Sequence, residues 1–330
     1  MKTRTLGDGL EVSALGFGCM GLSYAYGEKP DEAAATRTLH AAVDAGYTLF
    51  DTAEAYGPYA NEELLGRALK DVRDRLVIAT KFGFKLGEPG TPPSGVDSRP
   101  ERIREVCDAS LKRLQTDRID LFYQHRVDPA VPIEEVVGAV AELIEAGKVR
   151  HVGLSEASAA TLRRACKVHP VAALQSEYSL FTRDVEAEIL PACKELGVGL
   201  VPFSPLGRGV LTGKLDKGDV KSGDMRANLP RFQAGAWEAN RALVDALEAL
   251  AQAKGATAGQ LALAWLLARW ERIVPIPGTR SADRAHENAA AADITLSADD
   301  LAAIDAAVPA GAVEGGRYTE AMGAMVDRSR

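Results

Sequence analysis

A closed (β/α)8 barrel of parallel strands, in the α/β class, is the fold this 330-residue sequence predicts. Three observations carry the prediction. Short apolar strands alternate with amphipathic helices from near residue 14 to residue 291, which is the pattern of a parallel sheet with crossover helices. Eight such units fit a barrel of about this length. The dinucleotide fingerprint that an open doubly wound sheet would need is present only as a spacing, without its helix.

The elements follow in order. "ALGFG" (14–18) precedes the helical pattern "DEAAATRTLHAAVDAG" (31–46), where Gly46 suits a C-terminal cap. "TLFDTA" (48–53) leads to "NEELLGRALK" (61–70), and "LVIATKFG" (76–83) leads to "RPERIREVCDASLKRL" (99–114), with Pro100 in the first turn. "IDLFYQH" (119–125), "HVGLS" (151–155) and "AALQSEYS" (172–179) are the next strands, followed by helices at 133–147, 160–166 and 186–197. "GLVPFSP" (199–205) precedes helices at 239–254 and 257–269, and "IVPIPGT" (273–279) with the helix at 281–291 closes the series. "GFGCMG" (16–21) matches G-x-G-x-x-G, yet "LSYAYGEKPDE" follows it where a helix is required, so it reads as a strand-end turn.

The first ten residues read as a hairpin turning at "GDG". Residues 1–330 are expected to form one barrel domain. Two long Gly- and Pro-rich loops, 84–98 and 206–236, both follow strands and so belong over the same C-terminal face. They are either active-site lids or plain surface insertions.

Composition excludes several classes. The balance of 39 basic and 46 acidic residues gives −7, a poor field for nucleic acid. No apolar run reaches the roughly 18 residues of a membrane span, and the N-terminus lacks a signal-peptide core. Cys19, Cys107, Cys166 and Cys193 show no metal spacing, so a reduced, cytoplasmic, metal-free protein is expected.

In such a barrel the reaction face is the C-terminal end of the strands. Asp51 and Tyr56 stand there after the second strand, Lys81 after the third and His125 after the fourth. Ser155, Gln175, Ser204 and "PGTR" (277–280) stand at later ends. Each alone has an ordinary explanation: a turn cap, a solvated charge, a packed ring, a hydrogen-bonded histidine. Their convergence on one mouth is the stronger signal.

The whole chain resembles the aldo-keto reductases, through "FDTAEAYG", "VIATKFG", "DLFYQHRVDP", "GKVRHVGLSE", "LQSEYSLF", "PFSPLGRGVLTGKL" and "PIPGTRSADRAHEN". The resemblance implies a barrel that binds NADPH (or NADP+) without a Rossmann domain and reduces a small-molecule carbonyl substrate. Its tetrad matches Asp51, Tyr56, Lys81 and His125. A phenol is a weak acid near neutrality, so Lys81 is expected to lower the pKa of Tyr56, with Asp51 holding the ammonium and His125 orienting the carbonyl.

By the same resemblance, Gly18, Cys19, Met20 and Asp51 lie at the cofactor. Ser155 and Gln175 hold the carboxamide, and Phe203 stacks on the nicotinamide. Ser204, Leu206, Gly207 and Arg208 cover the pyrophosphate, while Gly278, Thr279, Arg280, Arg284, Glu287 and Asn288 hold the adenosine half. Arg280 and Arg284 suit a 2′-phosphate. Tyr24, Tyr26, Phe84 and Trp237 are expected to line the substrate pocket.

One departure is Glu156, where many members have Asn: it either accepts from the carboxamide or turns away. The alternative function is a cofactor-binding regulatory subunit like the β subunits of potassium channels. Substrate identity, reaction direction and oligomeric state stay open.

Overall fold

The computed structural model describes residues 1–88, 91 and 93–327. Residues 89, 90 and 92 of the first long loop, and 328–330 of the tail, lie outside them. A hairpin of β1 (Thr3–Thr5) and β2 (Glu11–Ser13) comes first, turning at Gly7–Gly9 with Asp8 at φ 53°. It therefore extends three residues beyond the expected ten.

Seven parallel strands follow: β3 (Phe17–Gly18), β4 (Leu49–Asp51), β5 (Val77–Phe82), β6 (Ile119–Gln124), β7 (Val149–Ser155), β8 (Val171–Glu177) and β9 (Gly199–Phe203). They pair in sequence order. The expected eighth strand closes the ring through single hydrogen bonds rather than a regular ladder. The amides of Val274 and Ile276 donate to Leu200 and Pro202, and the carbonyls of Pro275 and Pro277 accept from Gly16 and Gly18. Proline at 275 and 277 has no N–H to return, so the seam is bonded in one direction only. The backbones also meet closely there: a Cβ on Gly278 would lie 2.7 Å from the Gly18 carbonyl oxygen.

Helices surround the strands: α1 (Glu32–Asp44), α2 (Ala60–Ala68), α3 (Pro100–Arg113), α4 (Ile133–Glu145), α5 (Ala159–Cys166), α6 (Ile189–Leu196), α7 (Ala236–Ala253), α8 (Ala258–Arg269) and α9 (Ala282–Ala289). The starts are chemically marked. Asp31 caps α1, Ser158 caps α5, Pro100 opens α3, and Thr257 with Gln260 forms a capping box on α8. A tenth helix, α10 (Ala298–Ala307), was not among the expected elements although Ser297 and Asp300 form its capping box.

Two apolar clusters result. One lies between strands and helices. The other fills the barrel with Leu49, Ala79, Leu121, Tyr123, Ala173, Val201, Val274 and Ile276, and Leu6, Leu10 and Val12 of the hairpin plug its floor. The plug fits closely, since a Cβ on Gly199 would meet the Leu6 side chain at 2.3 Å. With the floor sealed, the opposite end is the barrel's mouth. The loop 206–236 folds there into short turns, Gly207–Thr212, Lys217–Asp219, Met225–Asn228 and Pro230–Phe232; the buried Arg226, paired with Asp224, ties the third to the first by donating to the Arg208 carbonyl at 3.1 Å.

Candidate active site

β4 ends at Asp51, and the chain turns back through "TAEAYG" to place Tyr56 above it. Thr52 and Asn61 fix that turn: the Thr52 hydroxyl donates to Asn61 Oδ1 at 2.6 Å, and Asn61 Nδ2 donates to the Cys19 carbonyl at 2.9 Å and Ser23 Oγ at 2.7 Å. The neighbouring strand β5 points Lys81 inward, wholly buried. Its Nζ donates to Asp51 Oδ1 at 2.5 Å, to the Thr52 carbonyl at 2.8 Å and to the Tyr56 hydroxyl at 3.2 Å. His125, just past β6, sets its ring edge-on to that of Tyr56, centroids 5.9 Å apart. The four residues expected to converge do so.

Electrostatics differs from expectation at one of them. Burial raises the Tyr56 pKa above its ordinary value, and the nearby Lys81 charge, which pulls it down, does not overcome this. The expected pull of Lys81 is present but burial outweighs it, so the net shift is upward and a phenol withdrawn from water stays protonated. Burial would lower the Lys81 pKa, but Asp51 and Tyr56 outweigh it, so the ammonium is held above its usual value. Burial, with Lys81 and Arg126 nearby, drives His125 well below the usual imidazole range. It is neutral near pH 7. Its buried Nδ1 has no partner, so no bond there fixes the tautomer and Nε2 can carry the proton.

The other expected residues are distributed as follows. Gln175 donates to Asp51 Oδ2 at 2.7 Å, leaving its amide oxygen to face other groups. Ser155 Oγ accepts from Arg126 at 3.3 Å. Glu156, at φ 52°, turns to the C-terminal tail, pairing with Arg317 at 2.6 Å and accepting from the Glu177 amide. Phe203 and Ser204 remain half-exposed at the end of β9, whereas the residues before them are buried. Leu206 and Gly207 are buried, and Arg208 pairs with Glu177 at 3.0 Å.

Gly18 ends β3, followed by buried Cys19 and by Met20 in a short turn. Among the described residues only a single 3-10 turn, Met20–Leu22, follows, and no α-helix begins before Glu32, as a strand-end turn requires. Across the seam, Thr279 Oγ1 accepts from Ser281 N at 3.1 Å. Arg280 donates to the carbonyls of Tyr26, at 2.7 Å, and Glu28, tying down the loop that carries Tyr24 and Tyr26. Arg284 lies in the first turn of α9, Asn288 is buried, and Glu287 binds Lys214 and Thr257. Phe84 packs on His125 with centroids 4.6 Å apart, and Trp237 packs instead on Phe232.

Sequence reasoning missed Thr52 and Asn61, Arg126, and the tail residues Arg317 and Tyr318. Arg126 had a signal, its place directly after His125. Among the described residues there is no helix long and apolar enough to cross a membrane and no metal-binding group of His, Cys, Asp and Glu.

A barrel with an acid, an ammonium, a phenol and a neutral imidazole gathered at its mouth has the architecture of an oxidoreductase. The chain belongs to the aldo/keto reductase family, whose profile matches residues 14–309. It is 49% identical over 311 residues to a probable aldo-keto reductase 1 from Glycine max, covering 94% of this chain and 89% of that protein. A glycerol dehydrogenase from Gluconobacter oxydans superposes with a TM-score of 0.85 at 31% identity, covering 92% of this chain and 94% of that one. A thermostable aldo-keto reductase crystallised with the inhibitor epalrestat superposes with 0.75 at 30%, covering 93% and 100%.

Proposed function

We propose that this chain reduces aldehydes or ketones to alcohols with NADPH, and that Tyr56 delivers the proton. The observation that carries the reading is the fully buried Lys81, which bonds Asp51 and Tyr56 at once beside the His125 ring. The half-exposed Phe203 and Ser204, and the Gln175 amide oxygen left over after its bond to Asp51, are surfaces that fit a nicotinamide. When bound, that cofactor supplies the hydride to the carbonyl carbon.

The chain's own residues do the rest. Neutral His125 donates a hydrogen bond to the carbonyl oxygen, orienting it and drawing charge onto it. Tyr56, protonated near neutrality, gives its proton to the developing alkoxide. The phenolate left behind is stabilised at once by the Lys81 ammonium, until solvent reprotonates it. Asp51 keeps Lys81 charged and in place, and Gln175 keeps Asp51 in place. Arg284, on the first turn of α9, is the side chain that we assign to the 2′-phosphate, since Arg280 is spent on loop carbonyls.

The glycerol dehydrogenase relative extends the reading to polyol oxidation as the reverse reaction. Steady-state NADPH consumption with a panel of benzaldehyde, butanal and a small ketone tests the proposal. Turnover with at least one is expected. NADPH binding without any turnover would favour the regulatory-subunit reading.

A further inference from the structure

Arg126 follows His125, and beyond helping to keep that imidazole neutral its charge has no part in the proposed mechanism. Its Nη1 donates to the His125 carbonyl at 2.7 Å and to Ser155 Oγ at 3.3 Å, and its Nη2 to the Tyr318 hydroxyl at 3.3 Å. Its Nε is buried with no partner at all. Every acceptor it does have is neutral. Among the described residues no carboxylate lies within ion-pair distance of it, whereas neighbouring arginines withdrawn from solvent each have one. Arg208 pairs with Glu177, Arg317 with Glu156, and Arg226 with Asp224.

An unpaired guanidinium drawn partly out of water is costly, and an arriving anion would relieve that cost. The position is also telling. The side chain joins the end of β7 at Ser155 to the tail at Tyr318, and its charge is felt by both Tyr56 and His125. Tyr318 lies among three guanidinium groups, bonded to Arg126 and packed on Arg208 and Arg317. Four arginines therefore meet at this side of the mouth (Arg231 is the fourth, 3.6 Å from Glu177) against three carboxylates, Glu156, Glu177 and Asp184, the last felt by Arg231. The excess is positive in a chain whose net charge is −7.

We infer that Arg126 is a specificity-determining residue that selects carbonyl substrates bearing a carboxylate. The carboxylate displaces the Tyr318 hydroxyl from Nη2 and reaches Nε, giving the fork-shaped pairing that arginine offers to planar anions. Residues of the tail around Tyr318 shift to admit it. The inference rests on the carbonyl-reduction reading, and its test keeps the two apart.

The test compares kcat/KM for 4-oxobutanoate with that for butanal, and for 4-carboxybenzaldehyde with that for benzaldehyde. In the wild type the acid of each pair is expected to be favoured by about ten-fold or more, the scale of a charge-assisted hydrogen bond. Arg126→Met should bring both ratios near one, and Arg126→Lys should keep part of the preference. Ratios near one in the wild type, or unchanged in Arg126→Met, would overturn the inference. So would a loss of NADPH affinity in Arg126→Met with the ratios preserved, since Arg126 would then serve the cofactor. If no aldehyde turns over, the reduction reading fails, and calorimetry with benzoate and NADP+ still decides on Arg126. Binding by the wild type weakened about ten-fold in Arg126→Met supports an anion site. Equal affinity, or no binding, refutes it.

Discussion

The floor and the mouth of this barrel bury similar charged residues but treat them differently. At the floor each is used up. Arg4 donates to the carbonyls of Leu267, Trp270 and Ile273, and Arg73 pairs with Asp120 at 2.7 Å while Asp120 also accepts from the Ile78 amide. At the mouth, Glu54 Oε1, Gln124 Oε1, His125 Nδ1 and Arg126 Nε are buried without partners. Five of the seven left-handed non-glycine residues among the described ones also lie on this side, Ala25, Tyr59, Glu156, Ser204 and Arg208, while Asp8 of the hairpin and Gln115 before β6 lie toward the floor. Arg118 Nε is the floor's exception. Unmade bonds and strained backbone cost stability, so their concentration at one end marks where the fold gives way to chemistry.

Substitutions at the two ends should therefore fail in different ways. The largest effect is expected from Lys81→Met. Removing the ammonium deprives the Tyr56 phenolate of its partner and should lower kcat about 10³-fold, measured as steady-state aldehyde reduction. An undiminished rate would detach Lys81 from the chemistry. The floor counterpart, Arg73→Leu, should cost about 3 kcal/mol in denaturant unfolding, because it strips Asp120 of its closest cation, and leave kcat of the folded enzyme unchanged. A selective loss of kcat there would blur the contrast.

A third prediction concerns Glu54, inside the same short stretch as Asp51 and Tyr56. Burial raises its pKa to about 7, with Arg102, 3.5 Å away, offsetting part of this. A carboxyl whose folded pKa lies above its unfolded one imposes no penalty while both forms are protonated, below about pH 4.5. The penalty grows as pH rises toward 7 and is complete above it, reaching at most about 3 kcal/mol. Glu54→Gln should thus raise Tm at about pH 8 and leave it nearly unchanged at about pH 4. An equal shift at both would mean that ionisation is not the cause.

The smallest expected effect is a near-absence. With the pKa values of Tyr56 and Lys81 raised and that of His125 depressed, none of the three should titrate between about pH 7 and 9. Reduction at saturating NADPH should be flat across that interval and fall only at higher pH, as the phenol ionises. Alcohol oxidation, which needs the phenolate, should rise with pH instead. A bell centred near neutrality for reduction would contradict these assignments.

The contrast also explains what was legible in the sequence. Asp51, Tyr56, Lys81 and His125 sit at fixed places relative to strand ends, so the strand pattern alone brought them to one mouth. The floor plug is partly readable from "GDG", although its second strand, Glu11–Ser13, lies beyond the expected ten residues. Three features were not read. Pro275 and Pro277 break the ladder that an apolar run suggests. The tail has no periodicity, and its Arg317–Glu156 bond spans 161 residues, a distance no local signal reports. The Tyr56 pKa depends on how much water the folded mouth excludes, which charge spacing cannot give. The helix at 298–307 was within reach, since its capping box is written in "SADD".

The central claim is that the phenol of Tyr56 supplies the proton in carbonyl reduction. Single-turnover decay of NADPH fluorescence with a saturating aldehyde, in wild type and Tyr56→Phe, tests it most directly. The variant keeps the ring beside His125 and loses only the hydroxyl, so NADPH affinity and Tm should stay close to wild type while the decay slows by about 10³. A decay as fast as wild type would show that the proton comes from elsewhere, and the account of the mouth would fall with it.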